Sequence, residues 1–202
     1  MCLKRNRKKF LYLFVVFLLL NTSLLNAIEN SKFFQQKIFE YLSDTKNFTS
    51  NFLQTNGKSV EEGSIYISNK RIRVEYTSPS KIRIIMNNKK AMYFNIDLQE
   101  VEYFNPKESV AEIFYNIFYN SDEFLNESKV VTKKGFVVLR LEKEAEGDKI
   151  NINVFFEHQP FILRKIEIEH PDGVLSFGLY NINQNSVFDK EFFSMANPLI
   201  IK

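Results

Sequence analysis

The chain has 202 residues, of which 45% are hydrophobic and 25% charged, enough apolar material for one core of ordinary domain size. Its net charge is +3, but five of the 27 basic residues and none of the 24 acidic residues lie within residues 1–27, which leaves 22 against 24, a net of −2. Because no basic excess remains, we expect no nucleic acid partner. The one cysteine, Cys2, lies in the same first stretch, so the rest of the chain can form no disulfide.

Residues 1–27 have the pattern of an export signal that is removed from the mature protein. A basic head precedes an uncharged apolar run from Phe10 to Leu20, and Leu25-Asn26-Ala27 ends in the small residue that a cleavage site needs. The run is short for a membrane span. The sequence therefore predicts a cleaved signal peptide at 1–27 and one domain at 28–202, with an uncleaved membrane anchor at residues 10–25 as the alternative.

Two segments have the period of an amphipathic helix. In Lys32 to Thr45, apolar residues recur at helical spacing behind a possible cap at Asn30 or Ser31. In the second segment, Ser109 and Glu112 match a capping box. Its large apolar side chains form a wide stripe made of Val110, Ile113, Phe114, Ile117 and Phe118. Residue types alone favour a core helix for this second segment.

Most of the remaining chain alternates apolar and polar residues, which is typical of half-buried strands. In the clearest run, Gly63 to Phe104, we expect one shared apolar face made of Ile72, Val74, Tyr76, Ile84, Met86, Met92 and Phe94. Shorter segments with the same period follow, separated by turn residues and without a βαβ rhythm. The sequence therefore predicts an α+β domain in which a long antiparallel sheet curls and a few helices cover one face.

The sequence offers no recognisable catalytic site. The two histidines, His158 and His170, lie beside prolines in predicted turns and have no metal-ligand spacing. There is no nucleophile elbow and no glycine-rich phosphate loop. The acidic residues mostly alternate with apolar ones, as on a solvated strand face. We therefore predict a protein that is not an enzyme and has neither a metal nor a cofactor.

Several short motifs follow one another along the chain in a characteristic order. The first has the spacing F-x-x-x-F-x-Q, at Phe48, Phe52 and Gln54. The next motifs, and two near the end, are Glu62 to Ile67, Arg71 to Tyr76 with Pro79, Ile84 to Phe94, Phe192-Phe193 and Asn197-Pro198. In this order the motifs resemble the periplasmic outer-membrane lipoprotein carrier family, LolA, over nearly the whole mature chain. The chain departs from that family at Ser68-Asn69-Lys70, where relatives usually have Arg-Pro.

The resemblance implies an incomplete antiparallel β-barrel, a half-barrel of about 10 or 11 strands, with helices over its concave hydrophobic face. It also implies a periplasmic carrier that binds the acyl chains of lipoproteins and moves them to the outer membrane. The expected acyl-chain cavity consists of Ile72, Val74, Tyr76, Ile84, Met86, Met92, Phe94, Val110, Ile113, Phe114, Ile117 and Phe118. Lys70 is the candidate lid latch, in place of the arginine of relatives.

The partners implied are triacylated lipoproteins, an inner-membrane ABC lipoprotein exporter, and an outer-membrane acceptor or the membrane itself, with the carrier acting as a monomer. A carrier is needed because exposing one chain of roughly 16 carbons to water costs on the order of 12 kcal/mol. One alternative is a lipid- or lipoprotein-sensing module of the cell envelope, which would use the cavity to recognise lipid. An esterase is a further alternative, for which no nucleophile and base can be named.

Overall fold

A computed structural model describes residues 30–145 and 148–200, so the predicted signal peptide at 1–27 lies outside the described residues. The helices are α1 (residues 30–44), α2 (Ala111–Tyr119) and α3 (Ser121–Glu127), and a 3-10 turn spans Pro106–Glu108. The strands are β1 (Asn47–Thr55), β2 (Val60–Ser68), β3 (Arg71–Ser78), β4 (Ile82–Met86), β5 (Ala91–Asn95), β6 (Glu100–Phe104), β7 (Lys129–Lys133), β8 (Phe136–Ala145), β9 (Asp148–Glu157), β10 (Ile162–His170) and β11 (Gly173–Asn183). The chain divides into two compact units within α1, between Ile38 and Phe39, and all eleven strands belong to the second unit.

The strands form one antiparallel sheet in the order β6-β5-β4-β3-β2-β1-β11-β10-β9-β8-β7. It consists of two meanders, β1 to β6 and β7 to β11, which are joined where β1 pairs with β11. The end strands β6 and β7 occupy opposite edges, so the sheet is open. The predicted α+β class, with an unclosed barrel of about 11 strands, is therefore confirmed.

One face of the sheet, which we call the inner face, contacts the helices. On α2, Phe118 lies 5.7 Å from Phe48 between ring centroids, and Phe114 lies 4.8 Å from Phe177 with the rings edge to face. Tyr41 of α1 meets Phe156 of β9 edge-on at 5.6 Å. Alternate residues of the strands are buried on this face, the period expected of strands with one covered side.

The opposite, outer face of β2 to β6 is covered by residues 188–195, which we call the C-terminal strap. Its aromatic residues Phe188, Phe192 and Phe193 pack against one another, and the first two also contact Tyr66 of β2. Phe193 is buried in a cluster with Ile85, Met92 and Phe94. The sheet around β5 is therefore apolar on both sides, and each side has its own cover.

Two arginines of β3 attach the strap to the sheet. Arg71 donates a hydrogen bond from Nη1 to the carbonyl oxygen of Phe193 at 3.1 Å, and Arg73 donates to the carbonyl oxygen of Phe192. The guanidinium of Arg73 also lies over the Phe192 ring, 4.1 Å from its centroid, and pairs with Glu75. A planar guanidinium can lie flat on a ring while its edge donates several hydrogen bonds in a fixed geometry, whereas a lysine ammonium is a point charge on a flexible stem.

Met92 and Phe94 correct the expectation of one shared apolar face. In the β4–β5 hairpin Ile85 pairs with Met92, and Arg83 pairs with Phe94, so both β5 residues lie on the outer face. The prediction that they share a face with Val74 is wrong. It failed because apolar residues stand next to each other on β4. The alternation of apolar and polar residues therefore could not decide which face of the sheet the β5 side chains occupy.

The inner face has a glycine at the point where two aromatic rings meet. Phe52 and Tyr76 contact each other edge to face, with centroids 5.2 Å apart, and Gly63 pairs with both residues in the neighbouring ladders. A Cβ built on Gly63 would overlap the carbonyl oxygen of Glu75 and lie 2.6 Å from the Phe52 ring. Gly63 is therefore required for this close approach.

We expect Phe193→Ala to lower the free energy of unfolding by about 3 kcal/mol, because it removes a buried ring from the outer-face cluster. Urea unfolding followed by circular dichroism would measure the loss. Val187→Ala, at a neighbouring side chain that is 95% exposed, is the control and should change stability by less than about 0.5 kcal/mol. Equal stability of the two variants would contradict this account of the strap.

We expect Gly63→Ala to destabilise the protein by about 1–3 kcal/mol, since the added methyl group overlaps backbone and ring. Thermal unfolding would report the change. At Gly178 the nearest atom to an added Cβ is 3.9 Å away, so Gly178→Ala should leave the melting temperature close to that of the wild type. If both alanines had the same effect, the close approach at Gly63 would not be the cause.

Candidate functional site

An apolar cavity of about 310 Å³ lies between the inner face of the sheet and α2, and we call it the inner cavity. It is lined by Phe52, Ile65, Val74, Tyr76, Ile84, Met86, Phe104, Ser109, Val110, Ala111, Phe114, Phe177 and Leu179. These residues come from both meanders and from α2, so the cavity exists only when the two meanders are joined. Its volume is at the lower end of the range, about 300 to 1,000 Å³, in which small-molecule sites are found.

One wall of the inner cavity is aromatic. Phe52 contacts Tyr76 on one side and Phe177 on the other, at centroid distances of 5.2 and 6.2 Å. Phe114 closes this wall from α2 through its contact with Phe177. These side chains offer a binding surface of carbon atoms, which suits an alkyl chain.

The hydroxyl of Tyr76 is engaged by the protein itself. It donates a hydrogen bond to Oε1 of Gln54 at 2.7 Å, and Nε2 of Gln54 donates in turn to Oε2 of Glu61 at 2.9 Å. Burial, reinforced by the nearby Glu61 carboxylate, raises the pKa of Tyr76 further above its ordinary value. The hydrogen-bond donor of Tyr76 at this end of the inner cavity is therefore already satisfied.

Helix α2 forms the side of the inner cavity that does not belong to the sheet, and it contributes side chains to the wall. Val110, just before its first turn, lines the cavity and is 42% exposed, so it lies at the mouth. At the other end of the helix, the hydroxyl of Tyr119 donates to the carbonyl oxygen of Arg71 at 3.0 Å. Burial raises the pKa of Tyr119, because the ionised form would lose its hydration.

Six of the twelve predicted cavity residues line the inner cavity: Val74, Tyr76, Ile84, Met86, Val110 and Phe114. Three others, Ile72, Ile117 and Phe118, are buried core residues outside its lining. Ile113 lines a different pocket, and Met92 and Phe94 lie on the outer face. Acyl-chain binding by these residues remains a prediction.

Local sequence patterns missed several lining residues, above all Phe177 and Leu179 of β11. They reach the cavity because Leu179 pairs with Phe52 across the β1–β11 ladder, a contact between residues far apart in sequence. Alternation along β11 was visible in the sequence, but nothing local identified β1 as its neighbour. Phe52 itself carried a signal, since it belongs to the F-x-x-x-F-x-Q motif.

Lys70, the candidate lid latch, lies in the two-residue turn between β2 and β3. Asn69 and Lys70 have φ values of 51° and 55°, as a tight hairpin turn requires. The Lys70 side chain is exposed and makes no hydrogen bond or ion pair with the part of the chain that is described. Tyr119, rather than Lys70, joins α2 to the start of β3. The latch role of Lys70 remains a prediction.

Metal clusters and membrane-spanning helices are both missing from residues 30–145 and 148–200. In these ranges no group of three or more His, Cys, Asp or Glu side chains is arranged to hold a metal ion. No helix within them combines the length and apolar character that a membrane span needs. His170 lies 3.8 Å from Asp148 and 3.5 Å from Asp172 at the exposed end of β10.

Comparison with solved structures finds similar chains at low sequence identity. An uncharacterized conserved protein from Thermus thermophilus matches with a TM-score of 0.49 and 8% identity, over 76% of this chain and 88% of the other. MucB matches with a TM-score of 0.48 and 9% identity, over 80% of this chain and 62% of MucB. MucB in complex with MucA(peri) gives 0.43 and 9%, over 80% and 59%.

A comparison with curated proteins gives no match. A comparison with models of protein families matches residues 43–196 to the family described as outer membrane lipoprotein carrier protein LolA. That range includes all eleven strands, α2, α3 and every residue that lines the inner cavity. On this match, which covers most of the sequence, the chain belongs to the LolA family.

Proposed function

We propose that this protein carries lipoproteins through the periplasm, holding their acyl chains in the inner cavity between an inner-membrane ABC exporter and the outer membrane. The LolA family consists of periplasmic, non-enzymatic carriers that bind lipoproteins. The observation that carries the proposal is the inner cavity itself, an unfilled apolar space whose aromatic wall has no free polar group at Tyr76.

The size of the inner cavity limits what this conformation can hold. A volume of about 310 Å³ suits one alkyl chain or part of one better than the three chains of a triacylated cargo. Full loading therefore requires α2 to move away from the sheet. The helix is suited to such movement because it contacts the inner face mainly through side chains such as Phe114 and Phe118.

Release limits how well the cavity should fit its cargo. Burying a chain of about 16 carbons recovers on the order of 12 kcal/mol, and a carrier that recovered all of it would release cargo too slowly. Met86 lines the cavity with a flexible thioether side chain that adapts to different chains. The proposed carrier thus combines sufficient burial for solubility with a loose fit for transfer.

Export is part of the same proposal. A periplasmic carrier needs a signal, and residues 1–27 supply the expected basic head, apolar run and cleavage motif. The domain at 28–202 would then act as a monomer with Ile28 at its amino terminus. Amino-terminal sequencing of the protein recovered from the periplasm would distinguish this from an anchor at residues 10–25.

We expect Ile84→Glu to weaken binding of a fluorescent C16 fatty acid at least tenfold, because it places a carboxylate on the wall of the inner cavity. Leu53→Glu is the matched control, since Leu53 is an apolar residue of β1 that is 43% exposed. It should bind the probe as the wild type does. Equal binding by both variants, with native circular dichroism, would contradict the assignment of the cavity.

We expect Tyr119→Phe to loosen α2 by about 0.5–1.5 kcal/mol, because it removes the hydrogen bond to Arg71 while keeping the ring. Hydrogen exchange measured by mass spectrometry should show faster exchange confined to α2. Tyr180→Phe, at a partly exposed tyrosine of β11, serves as the control. Unchanged exchange in α2 would mean that Tyr119 does not hold this helix.

A further inference from the structure

A second pocket, of about 400 Å³, lies on the side of α2 away from the inner cavity, and we call it the amide pocket. It is lined by Asn87, Asn88, Pro106, Lys107, Glu112, Ile113, Tyr115, Asn116, Asn120, Glu123, Phe124, Glu127, Leu141, Lys143 and Ile152. Four of these residues are asparagines, and their carboxamides offer both donors and acceptors. The pocket therefore differs in chemistry from the apolar cavity on the other side of the same helix.

The hydroxyl of Tyr115 is a further hydrogen-bonding group of this pocket. The Tyr115 side chain lines the pocket, and its ring packs on Tyr119 with centroids 5.0 Å apart. Within the described ranges, no residue accepts from or donates to this hydroxyl. Because the residue as a whole is only 7% exposed, its ring is held in place while its hydroxyl can bind a ligand atom without breaking an internal hydrogen bond.

Other polar atoms of the pocket are partly free. Nδ2 of Asn120 donates to Oδ1 of Asn116 at 2.7 Å, which uses one polar atom of each side chain and leaves the other. The oxygen of Asn87 accepts two backbone N–H groups of the β4–β5 turn, at Lys89 and Lys90, so its position is fixed. The Asn116–Asn120 pair thus offers the pocket one acceptor, Oδ1 of Asn120, and one donor group, Nδ2 of Asn116.

The charges of the amide pocket disfavour an anionic ligand. Lys143 already pairs with Glu112 at 3.3 Å, which leaves Lys107 to balance Glu123 and Glu127. Two lysines against three glutamates give a net charge of −1. A phosphate group would meet this negative balance, whereas a neutral or basic ligand would not.

One segment of the chain, residues 106–110, borders both sites. Pro106 and Lys107 line the amide pocket, and Ser109 and Val110, at the next turn of the chain, line the mouth of the inner cavity. The residues that line the two sites are therefore only two to four positions apart in the segment directly before α2. An amphiphile can therefore occupy both sites at once.

We propose that the amide pocket binds the polypeptide of the cargo, at the residues next to its lipid attachment, while the inner cavity holds an acyl chain. This inference rests on the proposed carrier function. A peptide backbone alternates N–H and C=O groups, which the carboxamides and the Tyr115 hydroxyl match. The buried floor residues Ile113, Phe124 and Leu141 accept one apolar side chain of that peptide.

The test compares two probes by isothermal titration calorimetry: palmitic acid, and a short neutral peptide that carries an amino-terminal palmitoyl chain. The wild type should bind the acylated peptide at least tenfold more tightly than palmitic acid. Tyr115→Phe should lower the affinity for the acylated peptide by about three- to tenfold and leave that for palmitic acid unchanged. Tyr180→Phe, outside both sites, should alter neither affinity.

The outcomes separate this inference from the function on which it rests. If the wild type binds both probes equally, or if Tyr115→Phe weakens both alike, the peptide site is refuted while acyl binding stands. If Ile84→Glu leaves palmitic acid binding intact, the cavity assignment fails instead. Replacing the peptide by one with acidic residues should reduce its affinity in the wild type, and an increase would overturn the charge argument.

Discussion

The pairing of β1 with β11 is the contact on which the rest of the domain depends. It joins into one sheet the two meanders, which follow one another along the chain. The hydroxyl of Ser50 reinforces this pairing by donating to the carbonyl oxygen of Tyr180 at 2.8 Å. Through this ladder Leu179 comes to lie beside Phe52, which completes the aromatic wall of the inner cavity. The same ladder delivers the chain after β11 to the outer face, where the C-terminal strap lies.

Around β5 the sheet is apolar on both sides, and its two covers pack differently. On the outer face, the strap fills the space over Ile85 and Met92 and is held by arginine side chains from β3. On the inner face, α2 leaves an unfilled volume. Since protein interiors are normally close-packed, the apolar space left between α2 and the sheet is the physical argument for placing the candidate site on the inner side.

Local sequence patterns predicted the elements well and their long-range relations poorly. Alternation identified the strands, and the wide apolar stripe from Val110 to Phe118 identified α2, whose residues line two sites and pack in the core. The sequence did not show which side of the sheet the β5 residues Met92 and Phe94 face, because Ile84 and Ile85 on β4 are both apolar. The strap that covers Ile85 lies much later in the chain. The position of Phe177 in the wall of the inner cavity depends on the β1–β11 ladder, which no local sequence pattern predicts.

The late position of β11 in the sequence also determines when the domain can complete its fold. During synthesis or export from the amino terminus, β1 to β6 emerge well before the strand that pairs with β1. Until β11 arrives, β1 has an unpaired edge and the apolar wall around Phe52 faces solvent, the condition in which chains associate wrongly. A nascent chain of this topology thus exposes apolar surface for most of its synthesis, and it gains a protected interior only when β11 pairs with β1.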